Sequence, residues 1–378
     1  VSDIVPALDW SAYPGGAHGF QGAVEMCNNN GACRKFEGGA MCPSYRATMN
    51  ERDLTRGRAN TLRLALSGQL GKDAFTSDEM METLKLCVSC KACKRECPTG
   101  VDMAKFKIEV LAARAKKYGV SFRDRLIGYL PRYAPLASKF GFLLNLRDQI
   151  PGLARLSEPI IGMSAKRSLP KWRRDIFKRS EIAVGPASGP EVVLFADTFN
   201  RYHERENLDA ALAVLVGAGY RVHLPKPVNG AARPLCCGRT FLSAGLVDEA
   251  RAEQRRTFAA LLPFARRGVP IIGLEPSCIF TFRDEVPSML PGEDANLLAK
   301  STLLFEEFLA REIDAGRFKP ALSPIGKKAL LHGHCHQKAF DVMGAVQKVL
   351  KAVPVLEVKP IESSCCGMAG AFGYQTET

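Results

Sequence analysis

The chain has 378 residues, of which 46% are hydrophobic and 24% are charged, so it is long enough for two or three separate cores and is not intrinsically disordered. No uninterrupted apolar run of about 18 residues occurs, which argues against a membrane-spanning helix. The net charge of +13 does not coincide with a nucleic-acid-binding module, so we expect no nucleic-acid partner.

Thirteen cysteines without a secretory signal predict a reducing compartment, and we therefore expect a cytoplasmic protein. In that setting thiols serve metal binding or redox chemistry rather than structural disulfides. The chain starts at Val1-Ser2-Asp3 rather than at a methionine, from which we expect that a further part of the protein precedes it.

The first predicted domain, residues 1–118, is helical and carries seven cysteines in its loops. Helical patterns cover residues 55–67 and 103–117. Residues 119–188 contain many prolines and a dense basic cluster, and they predict a connector of short helices and bends. A solvated linker is one interpretation of this charge, and attraction to an anionic membrane surface or an acidic partner is the other.

An α/β pattern begins near residue 189. Three buried strands alternate with two helices, as in a parallel sheet. The strands are predicted at residues 192–196, 220–224 and 270–274, and the helices at 207–216 and 246–267. A Cys-Cys-Gly sequence at Cys236-Cys237-Gly238 follows the second strand, and Cys278 follows the third.

The pattern then restarts with a strand, a helix, a second strand and another Cys-Cys-Gly sequence. These are predicted at residues 328–332, 341–351, 355–358 and 365–367. We interpret this as an internal repeat with modules at residues 189–320 and 321–378, the second lacking a helix, a strand and a closing cysteine. The predicted fold class is α+β multidomain: an α-helical ferredoxin-like domain followed by α/β Cys-Cys-Gly repeats with parallel strands.

Cys87, Cys90 and Cys93 are separated by two residues each, and Cys97 precedes a proline. Three thiolates on one tight loop can bind three irons of a cube, so the spacing predicts a [4Fe–4S] cluster. A zinc site usually pairs two short Cys or His couples a dozen or more residues apart. The cationic residues of this loop would offset the negative charge of a thiolate-bound cluster.

An altered cysteine run lies upstream, at Cys27, Cys33 and Cys42-Pro43. In two-cluster ferredoxins the fourth cysteine of each run binds the other cluster. The analogy gives two ligand sets: Cys42, Cys87, Cys90 and Cys93 for one cluster, and Cys27, Cys33 and Cys97 for a second. The second set is one ligand short, so either a water, a side chain such as His18 or a cysteine from elsewhere completes it, or the cluster is smaller.

The Cys-Cys-Gly sequences predict a different kind of site. Adjacent cysteines cannot both reach one iron of a cube comfortably, but they can bridge metals in a non-cubane or other open site. The predicted metal or redox residues are Cys236, Cys237 and Cys278 in one set, and Cys335, Cys365 and Cys366 in the other. A structural role as buried thiols is the alternative. His332, His334 and His336 are further candidates for ligands or proton carriers near strand ends.

Five segments of the sequence resemble the iron–sulfur half of large FAD-linked D-2-hydroxy-acid dehydrogenases, and the likeness continues through both Cys-Cys-Gly sequences. They are CNNNGACR at residues 27–34, MCPSY at 41–45, TRGRA at 55–59, LCVSCK at 86–91 and CPTGVDM at 97–103. Cys-Cys-Gly sequences are also similar to those of heterodisulfide reductase subunits and of the cluster subunit of anaerobic glycerol-3-phosphate dehydrogenase. The resemblance implies that Cys87, Cys90, Cys93 and Cys97 bind a cluster.

The resemblance also implies an electron relay that has no catalytic residues of its own. A flavin domain or subunit would oxidise D-lactate or D-2-hydroxyglutarate with FAD, and electrons would leave through the clusters to a quinone, a cytochrome or another acceptor. Peripheral contact with the inner face of the membrane is a further expectation for the connector. Two alternatives are a thiol–disulfide reductase centred on the Cys-Cys-Gly cysteines and a zinc-stapled interaction module.

Overall fold

The computed structural model describes residues 4–179, 182–230 and 232–377. Residues 1–3, on which the expectation of a preceding part rests, lie outside them. The chain is an α+β protein with about 52% of its residues in helices, and most of its strands are parallel. The predicted α+β class is therefore confirmed, while the domain boundaries remain a prediction.

The N-terminal part is helical, as predicted. Its helices are α1 (Phe20–Glu25), α2 (Pro43–Thr48), α3 (Thr55–Leu66), α4 (Asp78–Leu84), α5 (Ala92–Glu96) and α6 (Met103–Tyr118). The buried Glu109 carboxylate of α6 accepts hydrogen bonds from the backbone N–H groups of Ala7 and Leu8 and from the Trp10 indole, at 2.6 to 2.8 Å. This carboxylate fixes the opening segment on the helices that carry the cysteine loops.

The connector forms short helices separated by bends, as its prolines predict. They are α7 (Phe122–Gly128), α8 (Leu130–Ala137), α9 (Gly141–Leu144), α10 (Leu146–Gln149) and α11 (Leu153–Ile161). Many of their apolar side chains face solvent, and α11 buries none of its residues fully. Within the described ranges, no helix combines the length and the apolarity that crossing a membrane requires.

A five-stranded sheet follows the connector, in the order β1-β3-β2-β4-β5. Its strands are β1 (Ala183–Val184), β2 (Glu191–Phe195), β3 (Arg221–His223), β4 (Ile271–Gly273) and β5 (Thr302–Leu304), and all pairs except β1 with β3 are parallel. The chain leaves β2 first towards β3 and later returns to β4 on the other side. The carboxyl ends of β2 and β4 therefore lie at the point where the strand order reverses, which is where open α/β sheets bind ligands.

Helices cover this sheet, and the predicted helices at residues 207–216 and 246–267 are confirmed. They are α12 (Thr198–Tyr202), α13 (Arg205–Gly217), α14 (Arg239–Ser243), α15 (Val247–Arg266), α16 (Pro276–Arg283), α17 (Glu285–Met289), α18 (Glu293–Ser301) and α19 (Phe305–Asp314). One hydrophobic core extends from the N-terminal helices to one face of the sheet and includes most of the cysteines. A smaller core lies on the opposite face.

The C-terminal part has its own two-stranded parallel sheet, formed by β6 (Lys327–Leu331) and β7 (Leu356–Pro360). Between them lie α20 (Cys335–Ala339) and α21 (Met343–Lys351). The order of strand, short helix, longer helix and parallel strand is the same as in the segment from β2 to β3. In both places a Cys-Cys-Gly sequence follows the second strand.

Candidate iron–sulfur and Cys-Cys-Gly sites

Four cysteines from two distant segments line one small cavity. Three of them, Cys87, Cys90 and Cys93, come from the loop between α4 and α5, and Cys42 immediately precedes α2. All four are buried. The structure therefore brings together the first of the two predicted ligand sets, whereas Cys97 does not line this cavity.

The loop that carries three of these thiols turns tightly because two of its residues adopt left-handed backbone angles. Ser89 has a φ of +50° and Lys91 a φ of +64°. Helix α5 begins directly after Lys91, and the Cys97 N–H closes it by donating to the Cys93 carbonyl oxygen at 2.9 Å. Pro98 then follows, so the chain turns away from the cavity after Cys97.

The cavity is electrostatically suited to bound thiolates. Burial raises the pKa of Cys90 and Cys93, and the neighbouring thiols add to the rise, so four anionic sulfurs require positive charge to be held together. The fully buried Arg58 supplies some of it, with Nη1 3.6 Å from the Cys42 sulfur. The Lys107 ammonium donates to the Cys87 carbonyl oxygen at 2.7 Å.

These residues fit a [4Fe–4S] cube, which takes one thiolate at each iron. Within the described part of the chain, no three His, Cys, Asp or Glu side chains converge on a single metal ion. That finding is compatible with a cube, because its four ligands bind four different irons around a shared cavity. The observed cavity has this arrangement, with four buried thiols on its walls.

The second predicted ligand set is only partly assembled. Burial raises the pKa of the Cys33 thiol, and the nearby Cys42 and Cys27 thiols add to the rise, so Cys27 and Cys33 lie close together in the folded chain. Burial also raises the pKa of Cys97, but hydrogen bonds from the Thr99 hydroxyl and from three backbone N–H groups outweigh it and leave the pKa below its ordinary value. His18 lies in the turn before α1 and makes no hydrogen bond to these cysteines in the described residues.

The first Cys-Cys-Gly site lies at the carboxyl ends of β2 and β4. Thiol hydrogen bonds link Cys236 to Cys237 and Cys237 to Cys278, and all three residues are buried. Gly238 has a φ of +76°, and a Cβ there would lie 3.2 Å from the Ala250 carbonyl oxygen, so the position requires glycine. The structure thus brings together the three cysteines predicted for this site.

Two buried carboxyl groups lie beside these thiols. Burial and the proximity of Glu275 raise the pKa of Asp197 to about 6. The hydrogen bond from Cys237 lowers the pKa of Cys278, but burial and both carboxylates outweigh it and raise the pKa to about 12. The site is therefore shielded from solvent, and its thiols are protonated in the absence of a metal or another cation.

The second Cys-Cys-Gly site is more open. Cys335 is buried at the start of α20, and its thiol hydrogen-bonds Cys365, which in turn hydrogen-bonds the exposed Cys366. The hydrogen bond from Cys335, the Gly367 N–H and the Lys338 ammonium together lower the pKa of Cys365 to about 6, although burial opposes this shift. The three predicted cysteines again lie together.

Both Cys-Cys-Gly sites contact the loop of the four-cysteine cavity. In the second site, the His336 Nε2–H donates to the Ser89 carbonyl oxygen at 3.1 Å, and Ser364 donates to the Ala40 carbonyl oxygen at 2.8 Å. The buried histidines are held neutral, since burial lowers the pKa of His336 and lowers that of His334 to about 4. His336 therefore helps to hold the cysteine loop through this hydrogen bond, and its role as a ligand or proton carrier stays a prediction.

Contacts to the first site run through a buried ion network. The Lys91 ammonium lies 2.6 Å from Glu285 and 2.9 Å from Asp284, and Glu285 also pairs with Arg239, which directly follows Cys237-Gly238. Lys91 was expected to offset cluster charge from a polar loop. Instead it is 3% exposed and neutralised by carboxylates nearly 200 positions away in the sequence.

The sequence motifs did not single out two residues of the sites. Arg58 lies in the TRGRA segment, but nothing local indicates that it reaches Cys42. Thr198 starts α12 after the N-cap Asp197, just as Cys335 starts α20 after the N-cap His334, and its hydroxyl hydrogen-bonds the first cysteine of the pair, Cys236. Aligning the residues after β2 and β6 would have identified Thr198.

Comparison with known proteins supports the iron–sulfur class of this chain. Residues 23–101 match the family model of the 4Fe-4S dicluster domain. The chain is similar to D-2-hydroxyglutarate dehydrogenase of Escherichia coli K12, with 24% identity over 95% of this chain and 38% of the relative. It is also similar to one of the subunits of anaerobic glycerol-3-phosphate dehydrogenase from the same organism, with 26% identity over 68% of this chain and 64% of the relative.

A third relative is the glycolate oxidase iron-sulfur subunit of Escherichia coli K12, with 26% identity over 92% of this chain and 80% of the relative. No solved structure matches. The chain spans about two fifths of the length of the D-2-hydroxyglutarate dehydrogenases that it matches. The resemblance inferred from the cysteine segments is thereby confirmed: residues 23–101 match a 4Fe-4S dicluster domain, and the chain is similar to dehydrogenases and to the iron–sulfur subunit of an oxidase.

Proposed function

We propose that this chain carries electrons from a flavin that oxidises a D-2-hydroxy acid, such as D-lactate or D-2-hydroxyglutarate, to a quinone, a cytochrome or another acceptor. The observation that carries the proposal is the cavity lined by Cys42, Cys87, Cys90 and Cys93. A [4Fe–4S] cluster supplies one-electron chemistry, which is what links a two-electron substrate oxidation to a one-electron acceptor. The three relatives described above are dehydrogenases or subunits of a dehydrogenase or an oxidase, which supports the redox class.

In this proposal the residues of the chain bind and tune the clusters. Four thiolates hold the first cluster, and Arg58 places positive charge beside Cys42, which favours the reduced state of an anionic centre. Burial keeps water away from the cavity walls. Cys27, Cys33 and Cys97 would hold a second cluster, and the Cys-Cys-Gly thiols would bind metal or take part in redox exchange.

The flavin and its substrate pocket would belong to another domain or subunit. We assign FAD and the hydroxy acid to that partner because the relatives named D-2-hydroxyglutarate dehydrogenase are longer than this chain. Nothing specific to the structure favours the thiol–disulfide reductase or the zinc-stapled module. The domain assignment 1–118, 119–188, 189–320 and 321–378 is part of the proposal.

Anaerobic purification with iron and sulfide analysis and low-temperature EPR of the reduced protein tests this function. We expect cluster iron in the wild type and a loss of the main reduced-cluster signal in Cys90→Ser, because one thiolate of the cavity is removed. Cys278→Ser, whose residue lies outside the cavity, is the matched control and should keep that signal. Zinc without iron in the wild type, or an unchanged spectrum of Cys90→Ser, would contradict the proposal.

The same samples test whether substrate oxidation requires a separate flavoprotein. Adding D-lactate or D-2-hydroxyglutarate to the chain alone should leave its clusters oxidised, because in this proposal the flavin that oxidises the substrate belongs to another domain or subunit. Dithionite, which needs no flavin, should reduce them. Reduction by either hydroxy acid without an added flavoprotein would show that the chain oxidises the substrate itself.

A further inference from the structure

The loop before the 3₁₀ turn Ala32–Arg34 has the same spacing as the loop of the four-cysteine cavity. Cys27 and Cys33 are separated by five residues, and so are Cys87 and Cys93. Midway in the second loop stands Cys90. The equivalent position in the first loop is Asn30.

The two loops also have the same backbone shape. Two residues after the first cysteine, φ is +61° at Asn29 and +50° at Ser89. Two residues later, φ is +78° at Gly31 and +64° at Lys91. A helical turn begins immediately afterwards in both loops, at Ala32 and at Ala92. Residues at equivalent sequence positions in the two loops therefore also have equivalent backbone conformations.

A hydrogen bond fixes where the Asn30 side chain lies. The Ala32 N–H donates to Asn30 Oδ1 at 2.8 Å, and the Ala92 N–H donates in the same way to the Cys90 thiol. The amide oxygen of Asn30 thus occupies the place that the Cys90 sulfur occupies in the other loop. Its Nδ2 is held by Asn28 Oδ1 at 2.6 Å, which fixes the orientation of the amide.

The surroundings of the two positions differ in one respect. Cys27 and Cys33 are 7% and 6% exposed, like the cysteines of the other loop, whereas Asn30 is exposed to solvent. Cys90 is buried. A cluster held by Cys27 and Cys33 would therefore have one corner that faces water.

We propose that Asn30 stands at the fourth corner of the second cluster, so that one iron there has no thiolate ligand and exchanges with solution. The proposal rests on the proposed function, which places a cluster at Cys27, Cys33 and Cys97. A neutral amide oxygen binds iron more weakly than a thiolate does, and water reaches it here. The iron at this corner is the one that the chain gives up first.

Release of the iron at this corner is a one-electron oxidation of the cluster. Ferricyanide removes one electron from an oxidised [4Fe–4S] cluster, the iron at the open corner leaves as a ferrous ion, and a [3Fe–4S] cluster remains. The electron lost by the cluster equals the electron gained by ferricyanide. Restoring the iron requires only a ferrous salt and a reductant.

The experiment treats the anaerobically purified full chain with ferricyanide and measures released iron together with the EPR spectrum of the [3Fe–4S] state. We expect about one iron per chain from the wild type and from Asn30→Ala, and several-fold less from Asn30→Cys, whose new thiolate binds the corner. Glu37→Cys, which adds an exposed thiol four residues after Cys33 and away from the corner, should behave as the wild type.

The outcomes separate this inference from the proposed function. Equal release from the wild type and Asn30→Cys overturns the inference alone, as does iron sufficient for only one cluster in both proteins. Absence of cluster iron from the wild type overturns the proposed function as well. Reduced release from Glu37→Cys equal to that from Asn30→Cys would also overturn the inference, because it would assign the effect to any added thiol.

Discussion

At the scale of single residues, His203 connects two parts of the chain. Its ring packs on Trp172 of the connector with centroids 4.7 Å apart, and Nδ1 lies 2.8 Å from the Lys171 carbonyl oxygen. Burial lowers the pKa of His203 despite this hydrogen bond, so the folded state favours the neutral ring. Its partners are about 30 positions away, so the local sequence gives no sign of these contacts.

We predict that this histidine makes stability fall with acidification. Below about pH 6.5 the unfolded chain binds a proton at His203 that the folded chain resists, so the free energy of unfolding decreases as pH falls. The apparent Tm of the wild type should drop more between about pH 7.5 and about pH 5.5 than that of His203→Gln. Differential scanning calorimetry of the metal-loaded protein measures both, with exposed His332→Gln as the control. Equal slopes for the wild type and His203→Gln would contradict the prediction.

At the scale of elements, α5 is tied to the chain between α16 and α17 by buried charge. Asp284 receives the ammonium groups of Lys91, Lys94 and Lys105 at 2.8 to 3.0 Å. Burial raises the pKa of Asp284, but the three cations outweigh it and hold the pKa well below its usual range. This carboxylate thus joins the cysteine loop to the sheet, and neutralising it would take one ionic partner from each of three cations.

We expect Asp284→Asn to destabilise the protein by about 3 kcal/mol, because the buried Lys91 loses an ionic partner. The apparent Tm of the metal-loaded protein should fall by several degrees. Asp294→Asn removes an exposed ion pair with Arg266 and is the matched control, with an expected effect below about 1 kcal/mol. Equal melting of the two variants would contradict this account of the network.

How far the sequence predicts the elements depends on their length and on the distance of their contacts. The pattern of α6 and α15 runs over many turns, and both helices were predicted to within a few residues. The three-residue β5 and the proline-containing α17 carry no pattern long enough to recognise.

The candidate sites follow the same rule: arrangements within one loop could be predicted, and contacts between distant segments could not. Cysteine spacing along one loop predicted the cavity, and ferredoxin analogy added Cys42. The contacts of Arg58 and Lys91 were beyond prediction because their partners are distant in sequence. Asn30 could have been identified from the sequence, because it lies at the position that corresponds to Cys90 in the other loop. A search that considers cysteines alone does not find it.

At the scale of the whole molecule, the connector exposes an unusual amount of apolar surface. Leu136, Phe142, Leu156 and Ile160 are 54% to 72% exposed on neighbouring short helices, within a basic stretch of sequence. Apolar side chains flanked by cations are typical of surfaces that bind anionic lipid. Peripheral membrane contact of this connector stays a prediction.

Vesicles of anionic phospholipid test that contact. We expect the chain to co-sediment with them at low salt, and the double variant Leu156→Ser, Ile160→Ser to bind about tenfold more weakly because two exposed apolar anchors are lost. Leu330→Ser removes an equally exposed leucine on β6, outside the connector, and should leave binding unchanged. Wild-type protein that stays in the supernatant at every lipid concentration would exclude the contact.

The unequal burial of the two cysteine loops has a consequence for handling the protein in air. Ser364 and His336 hydrogen-bond the backbone beside the four-cysteine cavity, and the four thiols are buried, so dioxygen has limited access to that centre. The loop of Asn30 has no such cover at its tip. During brief aeration we therefore expect bleaching in two phases, a fast one from the open centre and a slow one from the covered centre.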